Sequence, residues 1–208
     1  MAKFAITPKR TAFLIIDMQN AFLKPGLKMA LPAGRALIPK LQGLIQACRD
    51  HEIPIIFAKH VLREDGSDEG IGSEFPPGKI CLTGTEDIEF YGEIRPEKGD
   101  IVVEKRRYSA FYSTDLDLIL RCKGIDTLII GGVVTHMCCD TTARDARMRD
   151  YKVIFLSDGT ATYSIPDMGW GTIPAEEVQR FVLTILASRY AQVSSIDDVV
   201  TELRKIAI

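Results

Sequence analysis

Asp17, Lys105 and Cys138 each stand at or just beyond the end of an apolar run in this 208-residue sequence, and together they could do nucleophilic chemistry. A thiol that attacks a carbonyl needs a base to take its proton and a cation to hold the charge that develops. Cys138 follows an apolar run, a Gly pair and Thr135, and lies in the stretch HMCCDTTARDARMRD, whose Ala, Arg and Met content suits a helix. A thiol in a first helical turn faces free backbone N–H groups and the positive end of the helix dipole, which favour the thiolate, and Lys105 would add to that effect. Taken singly, each residue also has an ordinary reading. Cys138 is then a buried structural cysteine, Asp17 a strand-end cap and Lys105 a solvated strand end. Cys48 and Cys122, each inside a helical apolar pattern, are read as structural.

The elements that must position these groups follow from the hydrophobic pattern. Five near-continuous apolar runs, TAFLIID (11–17), PIIFAKHV (54–61), GDIVVEK (99–105), IDTLIIGGVV (125–134) and KVIFLSD (152–158), suit a parallel sheet covered on both faces. Helix-period stretches separate them. Leu37, Leu41, Leu44, Ile45 and Cys48 share one helical face, and Val178, Phe181, Val182 and Ile185 share another, opened by Pro174. Ligands of such sheets bind beyond the carboxyl ends of the strands, which directs attention to Asp17, His60, Lys105, the VVTHMCC segment and Asp158. The Gly-, Pro- and acid-rich stretch 62–98 is too long to be a passive connection and is expected to overhang a site.

Adjacent residues on a helix point about 100° apart, so Cys138 and Cys139 cannot share one site. The Cys138 face also carries Thr141, Thr142 and Asp145 and is placed toward the polar site, whereas Cys139 shares a face with Ala143 and Ala146 and is placed toward the core.

Composition narrows the function. A chain of this length, 46% hydrophobic and 26% charged, fits one globular domain over 1–208. With 26 basic and 28 acidic side chains the formal net charge is -2, so no chain-wide positive field exists to hold nucleic acid. The N-terminal MAKFAITPKR and the short TAFLII run fit neither a signal core nor a membrane span, and the expected location is the cytoplasm. Five cysteines without paired spacings are expected to be reduced thiols. No G-x-G-x-x-G follows a strand, which counts against a dinucleotide cofactor.

DMQNAF (17–22), KRRYSAF (105–111) and GVVTHMCCDTTARDA (132–146) resemble, in order and spacing, the three blocks of the isochorismatase-like cysteine hydrolases, and the similarity spans about 11–160. The third block is the most specific. The resemblance implies a three-layer α/β/α fold with a six-stranded, mostly parallel sheet, and an Asp-Lys-Cys triad formed here by Asp17, Lys105 and Cys138. It implies a cis peptide at Val133–Val134 and an oxyanion hole made by the N–H groups of Val134 and Cys138. Phe22, Tyr108, Phe111, Tyr112 and Met137 match pocket-lining positions, Gln19 and Asn20 are placed to orient Asp17, and Arg63, Arg106 and Arg107 are available for a substrate carboxylate or carbonyl.

Departures from the family pattern select among its activities. The vinyl ether-cleaving isochorismatases lack the nucleophilic cysteine, so Cys138 favours hydrolysis of a C–N bond in a small amide or ureide, with ammonia released. Nicotinamidases of the family hold a metal through Asp-x-His and further histidines after the second strand. This chain has only His51, His60 and His136, and VLREDGSDEG after His60 contains none, so no metal and no cofactor are expected. Relatives assemble as dimers or tetramers, and a homo-oligomer is expected. The competing readings are an isochorismatase-type ether hydrolase and a non-catalytic α/β binding module, which the complete triad disfavours.

Overall fold

A computed structural model describes residues 3–74, 79–92 and 94–206. Each apolar run forms a strand: β1 (Thr11–Ile16), β2 (Ile55–His60), β3 (Ile101–Lys105), β4 (Thr127–Val133) and β5 (Lys152–Ala161), joined by a short β6 (Gln192–Ser194). The helices in chain order are α1 (Asn20–Leu23), α2 (Pro32–Ala36), α3 (Ile38–Asp50), α4 (Leu116–Cys122), α5 (Asp140–Met148), α6 (Ala175–Arg189) and α7 (Ile196–Leu203). The strand order is β3-β2-β1-β4-β5-β6 and every neighbouring pair is parallel, so the sheet is wholly rather than mostly parallel. Parallel strands need crossover connections, and these place helices on both faces. Among the described residues no helix is long and apolar enough to cross a membrane.

The period-2 alternation of β1 divides the core. Phe13 and Ile15 join Leu41, Leu44 and Cys48 of α3 and Val199 and Leu203 of α7 on one face. Ala12, Leu14 and Ile16 join Leu116 and Leu120 of α4, Ala143 and Ala146 of α5 and Leu186 of α6 on the other. Cys139 belongs to this second cluster and is fully buried, on the side its helical spacing indicates.

Three sequence expectations are corrected here. On α6 the buried positions are Val178 and Leu186, with Val182 packed partly against the core, while Phe181 and Ile185 remain 46% exposed. Cys122, at the end of α4, is exposed rather than structural. Asp158 also leaves the list of site residues. The β4–β5 register shifts between Ile130 and Gly132, and in this irregular stretch Asp158 pairs with Lys40 at 2.8 Å and accepts the Ile196 N–H at the start of α7.

Strand order reverses between β1 and β4, and a doubly wound sheet opens its ligand crevice at such a point. Gly132 of β4 pairs with Ile16 of β1; its φ is +120° and an added Cβ would lie 2.1 Å from the carbonyl oxygen of Ile16. No side chain fits there without separating β1 from β4. Gly132→Ala is therefore expected to cost at least about 3 kcal/mol, lowering the melting temperature by roughly 6–12 °C. A wild-type melting temperature for this variant would contradict the packing described.

Candidate active site

The carboxyl ends of β1 and β3 and the turn after β4 bring three chemical groups into contact. Asp17 directly follows β1 with φ 54°, a left-handed conformation that Asp tolerates better than most residues. Its N–H donates to Ala58 O at 2.9 Å and its carbonyl accepts the Gln19 N–H at 2.8 Å, which fixes the reversal of the chain. Lys105 is the last residue of β3 and, with Asp17, is buried to within 1% of completeness. Cys138 lies in a turn of π-helix over Thr135–Cys139 that leads into α5. The Cys139 N–H there reaches back to Val134 O at 3.3 Å. The Val133–Val134 peptide just before this turn is cis.

Lys105 joins these groups. Its Nζ is 2.8 Å from Asp17 Oδ2, donates to Cys138 Sγ at 3.3 Å, and donates to Arg107 O at 3.2 Å. The ammonium thus donates to a sulfur and a carbonyl and forms an ion pair with a carboxylate. Neither Asp17 oxygen makes a well-directed hydrogen bond among the described residues, so the carboxylate is compensated mainly by the charge of Lys105.

Burial sets the protonation states. It raises the Asp17 carboxyl above its usual value, and the opposing pull of Lys105 does not cancel the effect. Burial also pushes the Cys138 thiol up to about 12, with Asp17 adding to the rise and Lys105 opposing it. Burial disfavours the Lys105 ammonium too, but the combined attraction of Asp17 and Cys138 outweighs this and holds the proton on. Burial thus favours the neutral forms of the Asp17 carboxyl and the Cys138 thiol, while Asp17 and Cys138 favour the Lys105 ammonium. A helix N-terminus and Lys105 favour the thiolate, but Cys138 sits in a π-turn ahead of the regular helix, where desolvation is the larger effect.

A cavity of about 260 Å³ opens over Asp17 and Cys138. Phe22, Tyr108, Val134 and Met137 line it as the sequence indicates, and so do Arg106, Arg107 and His60. Phe111 and Tyr112 do not. Phe111 is buried in the core against Tyr151, with the Arg149 guanidinium over its ring, and Tyr112 is 58% exposed at the surface. Arg63 lies outside the cavity, largely exposed beside Asp68.

Gln19 and Asn20 act on the backbone and not on the Asp17 carboxylate. Buried Gln19 donates to His60 O and Ile88 O and accepts the His60 N–H at 2.7 Å, tying the end of β1 to the end of β2. Asn20 donates to Glu86 O at 3.0 Å. Thr142 and Asp145 of α5 likewise hold the chain after β3, Thr142 Oγ1 accepting the Ala110 N–H and Asp145 accepting the Ser109 hydroxyl.

The stretch 62–98 contributes Leu62, Glu69, Ile71, Gly72 and Ile80 to the cavity wall, while 75–78 and 93 lie outside the described residues. Met29 and Tyr163 complete the wall. Residue-type reasoning does not single these out, although the stretch 62–98 is expected as a whole to overhang the site. The residues do not fit a bound metal. His60 is the one histidine of the cavity, and burial together with Lys105, Arg106 and Arg107 drives its imidazole pKa down to about 3. A divalent cation would meet the same repulsion, and among the described residues no three His, Cys, Asp or Glu side chains converge.

Comparison with known proteins identifies the family. The model of the Isochorismatase domain matches residues 11–198. The chain is 37% identical over 158 residues to Nicotinamidase 3 of Arabidopsis thaliana, covering 75% of each chain. It is 31% identical over 177 residues to the ureidoacrylate amidohydrolase RutB of Caulobacter vibrioides, covering 74% of this chain and 78% of that one. The crystal structure of a cysteine hydrolase from Pseudomonas syringae pv. phaseolicola 1448A superposes with a TM-score of 0.95 at 36% identity, over 98% of this chain and 96% of that one. A match over nearly the whole sheet and all three strand-end groups places this chain in the isochorismatase-like hydrolase family.

Proposed function

We propose that the protein is a cysteine-dependent amidohydrolase that cleaves the C–N bond of a small amide or carbamoyl compound through a thioester. The observation that carries the reading is the contact of Lys105 Nζ with both Asp17 Oδ2 and Cys138 Sγ at the floor of one cavity. Amide-hydrolysing relatives support the same reaction class.

Asp17 takes the Cys138 proton as the sulfur attacks the substrate carbon, and Lys105 stays charged beside both groups throughout. The N–H groups of Val134 and Cys138 are assigned to the developing oxyanion. Collapse of the tetrahedral species breaks the C–N bond, and the proton held by Asp17 goes to the leaving nitrogen as ammonia departs. Asp17 then deprotonates a water, which attacks the thioester. Cys138 leaves and recovers its proton, and one amide and one water have become one acid and one ammonia. From a ureide the acid is a carbamate that can lose carbon dioxide. No step passes through a metal or cofactor. A homo-oligomeric assembly belongs to the same proposal and is supported by the exposed apolar side chains of Phe181, Ile185 and Trp170.

Cys138→Ala is expected to lower ammonia release from the best amide or ureide substrate by at least about 10³-fold, whereas Cys139→Ala keeps turnover and loses about 1 kcal/mol of stability from the core. Full ammonia release by Cys138→Ala would remove the thioester route and leave direct attack of water on the amide. The pH profile gives a second test. Catalysis needs Asp17 ionised, and burial holds its carboxyl above the usual value, so kcat/KM should fall with decreasing pH at a point above the usual carboxylate range. With the Cys138 thiol pushed up to about 12, no further rise is expected where a free cysteine ionises, about pH 8.5. A rate that climbs through that region would show that the resting thiol is far more acidic than its surroundings imply.

A further inference from the structure

The cavity wall contains three charged side chains from the surface segments above the triad, and their existing partners differ. Arg107 Nη1 donates to the carbonyls of Asp68 and Arg106 at 2.8 and 2.7 Å. Arg106 pairs through Nε with Asp68 and through Nη1 with Glu104, each at 3.4 Å. Glu69 Oε2 is buried and has no hydrogen-bond partner among the described residues.

The segment carrying Glu69 is held in place. Asp68 Oδ1 accepts the Arg63 N–H at 2.8 Å, and the Glu69 N–H donates to Gly66 O at 3.1 Å. Gly70 has φ +65°, and an added Cβ would lie 2.8 Å from Arg107 Nη2, so the chain there accommodates the Arg107 guanidinium. Asp68 thus engages Arg106 through its carboxylate and Arg107 through its carbonyl, and Glu69 Oε2 is left without a hydrogen bond among the described residues. A buried carboxylate oxygen without a partner is costly, and a ligand that supplies a donor recovers that cost. Phe22, Met29, Leu62, Ile71 and Ile80 of the same wall are apolar and offer no acceptor on their side chains.

We infer that Glu69 is a specificity-determining residue whose Oε2 accepts an N–H from the end of the substrate remote from the scissile carbonyl. The substrate class is then a small amide with an apolar body and a second nitrogen donor, as an amine or a ureido group, in preference to one bearing a carboxylate. The inference rests on the amidohydrolase reading for the identity of the reacting end.

The test uses series of increasing chain length: ω-amino carboxamides, ω-ureido carboxamides, ω-carboxy carboxamides and unsubstituted aliphatic carboxamides. Ammonia release is measured with the wild-type enzyme, Glu69→Leu and Glu69→Gln, and binding is measured by calorimetry on Cys138→Ala protein with and without each Glu69 substitution. Wild-type protein should favour the amino and ureido series. Glu69→Leu should raise KM for them by at least about tenfold with kcat little changed, and should improve use of the carboxy series. Glu69→Gln should restore the ureido series more than the amino series. Equal preference among the series, or a wild-type preference for the carboxy series, would overturn the role given to Glu69. Donor-selective binding without hydrolysis would keep that role and reject the amidohydrolase reading. Hydrolysis without Glu69-dependent selectivity would do the reverse, and neither binding nor hydrolysis would reject both.

Discussion

The buried ion pair between Asp17 and Lys105 is the constraint on which the site depends. Two opposite charges taken almost wholly out of water are tolerable only at close range and in fixed geometry, because each alone would carry a desolvation cost of several kcal/mol. The sheet supplies that geometry. β1 and β3 lie on either side of β2, and their parallel registers bring the carboxylate and the ammonium to the same edge. β4 borders β1 on its other side and delivers the turn that carries Cys138.

In the proposed mechanism a half-buried thiol is put to use. The desolvation that raises the Asp17 carboxyl also raises the Cys138 thiol, and on this reading the proton passes between the two neighbours when a substrate arrives. Lys105 stays charged on either side of this transfer and limits the rearrangement of charge in a dry site. The arrangement is built to make a nucleophile during the reaction and not to store one.

The fold was legible where burial is continuous. Five apolar runs mark the strands of the sheet interior, and Leu41, Leu44, Ile45 and Cys48 mark the inner face of α3. β6 was not legible from its residues, since Gln192–Ser194 is short and half-buried and was implied by the family resemblance alone. The α6 face was misread because apolar side chains occupy more of its circumference than the sheet covers, and spacing cannot show where the neighbour ends. At the site, residue type and order identified the groups that meet. Their protonation was not readable, because a helix-dipole argument omits the depth of burial. Gln19 and Asn20 were assigned to Asp17 by proximity in sequence, whereas an amide at a strand end is satisfied by whichever backbone groups the tertiary fold places beside it. Glu69 could not be told from the other acids of REDGSDEG, since only the folded chain shows which carboxylate turns inward.

The central claim is that Cys138 carries the acyl group during turnover, and rapid acid quenching followed by mass spectrometry tests it directly. With a substrate whose hydrolysis releases ammonia, the enzyme quenched in its first turnovers should gain the mass of the acyl or carbamoyl group, and peptide mapping should place it on Cys138. An adduct on Cys139, or steady ammonia release with no covalent species under conditions where the thioester should accumulate, would contradict the account.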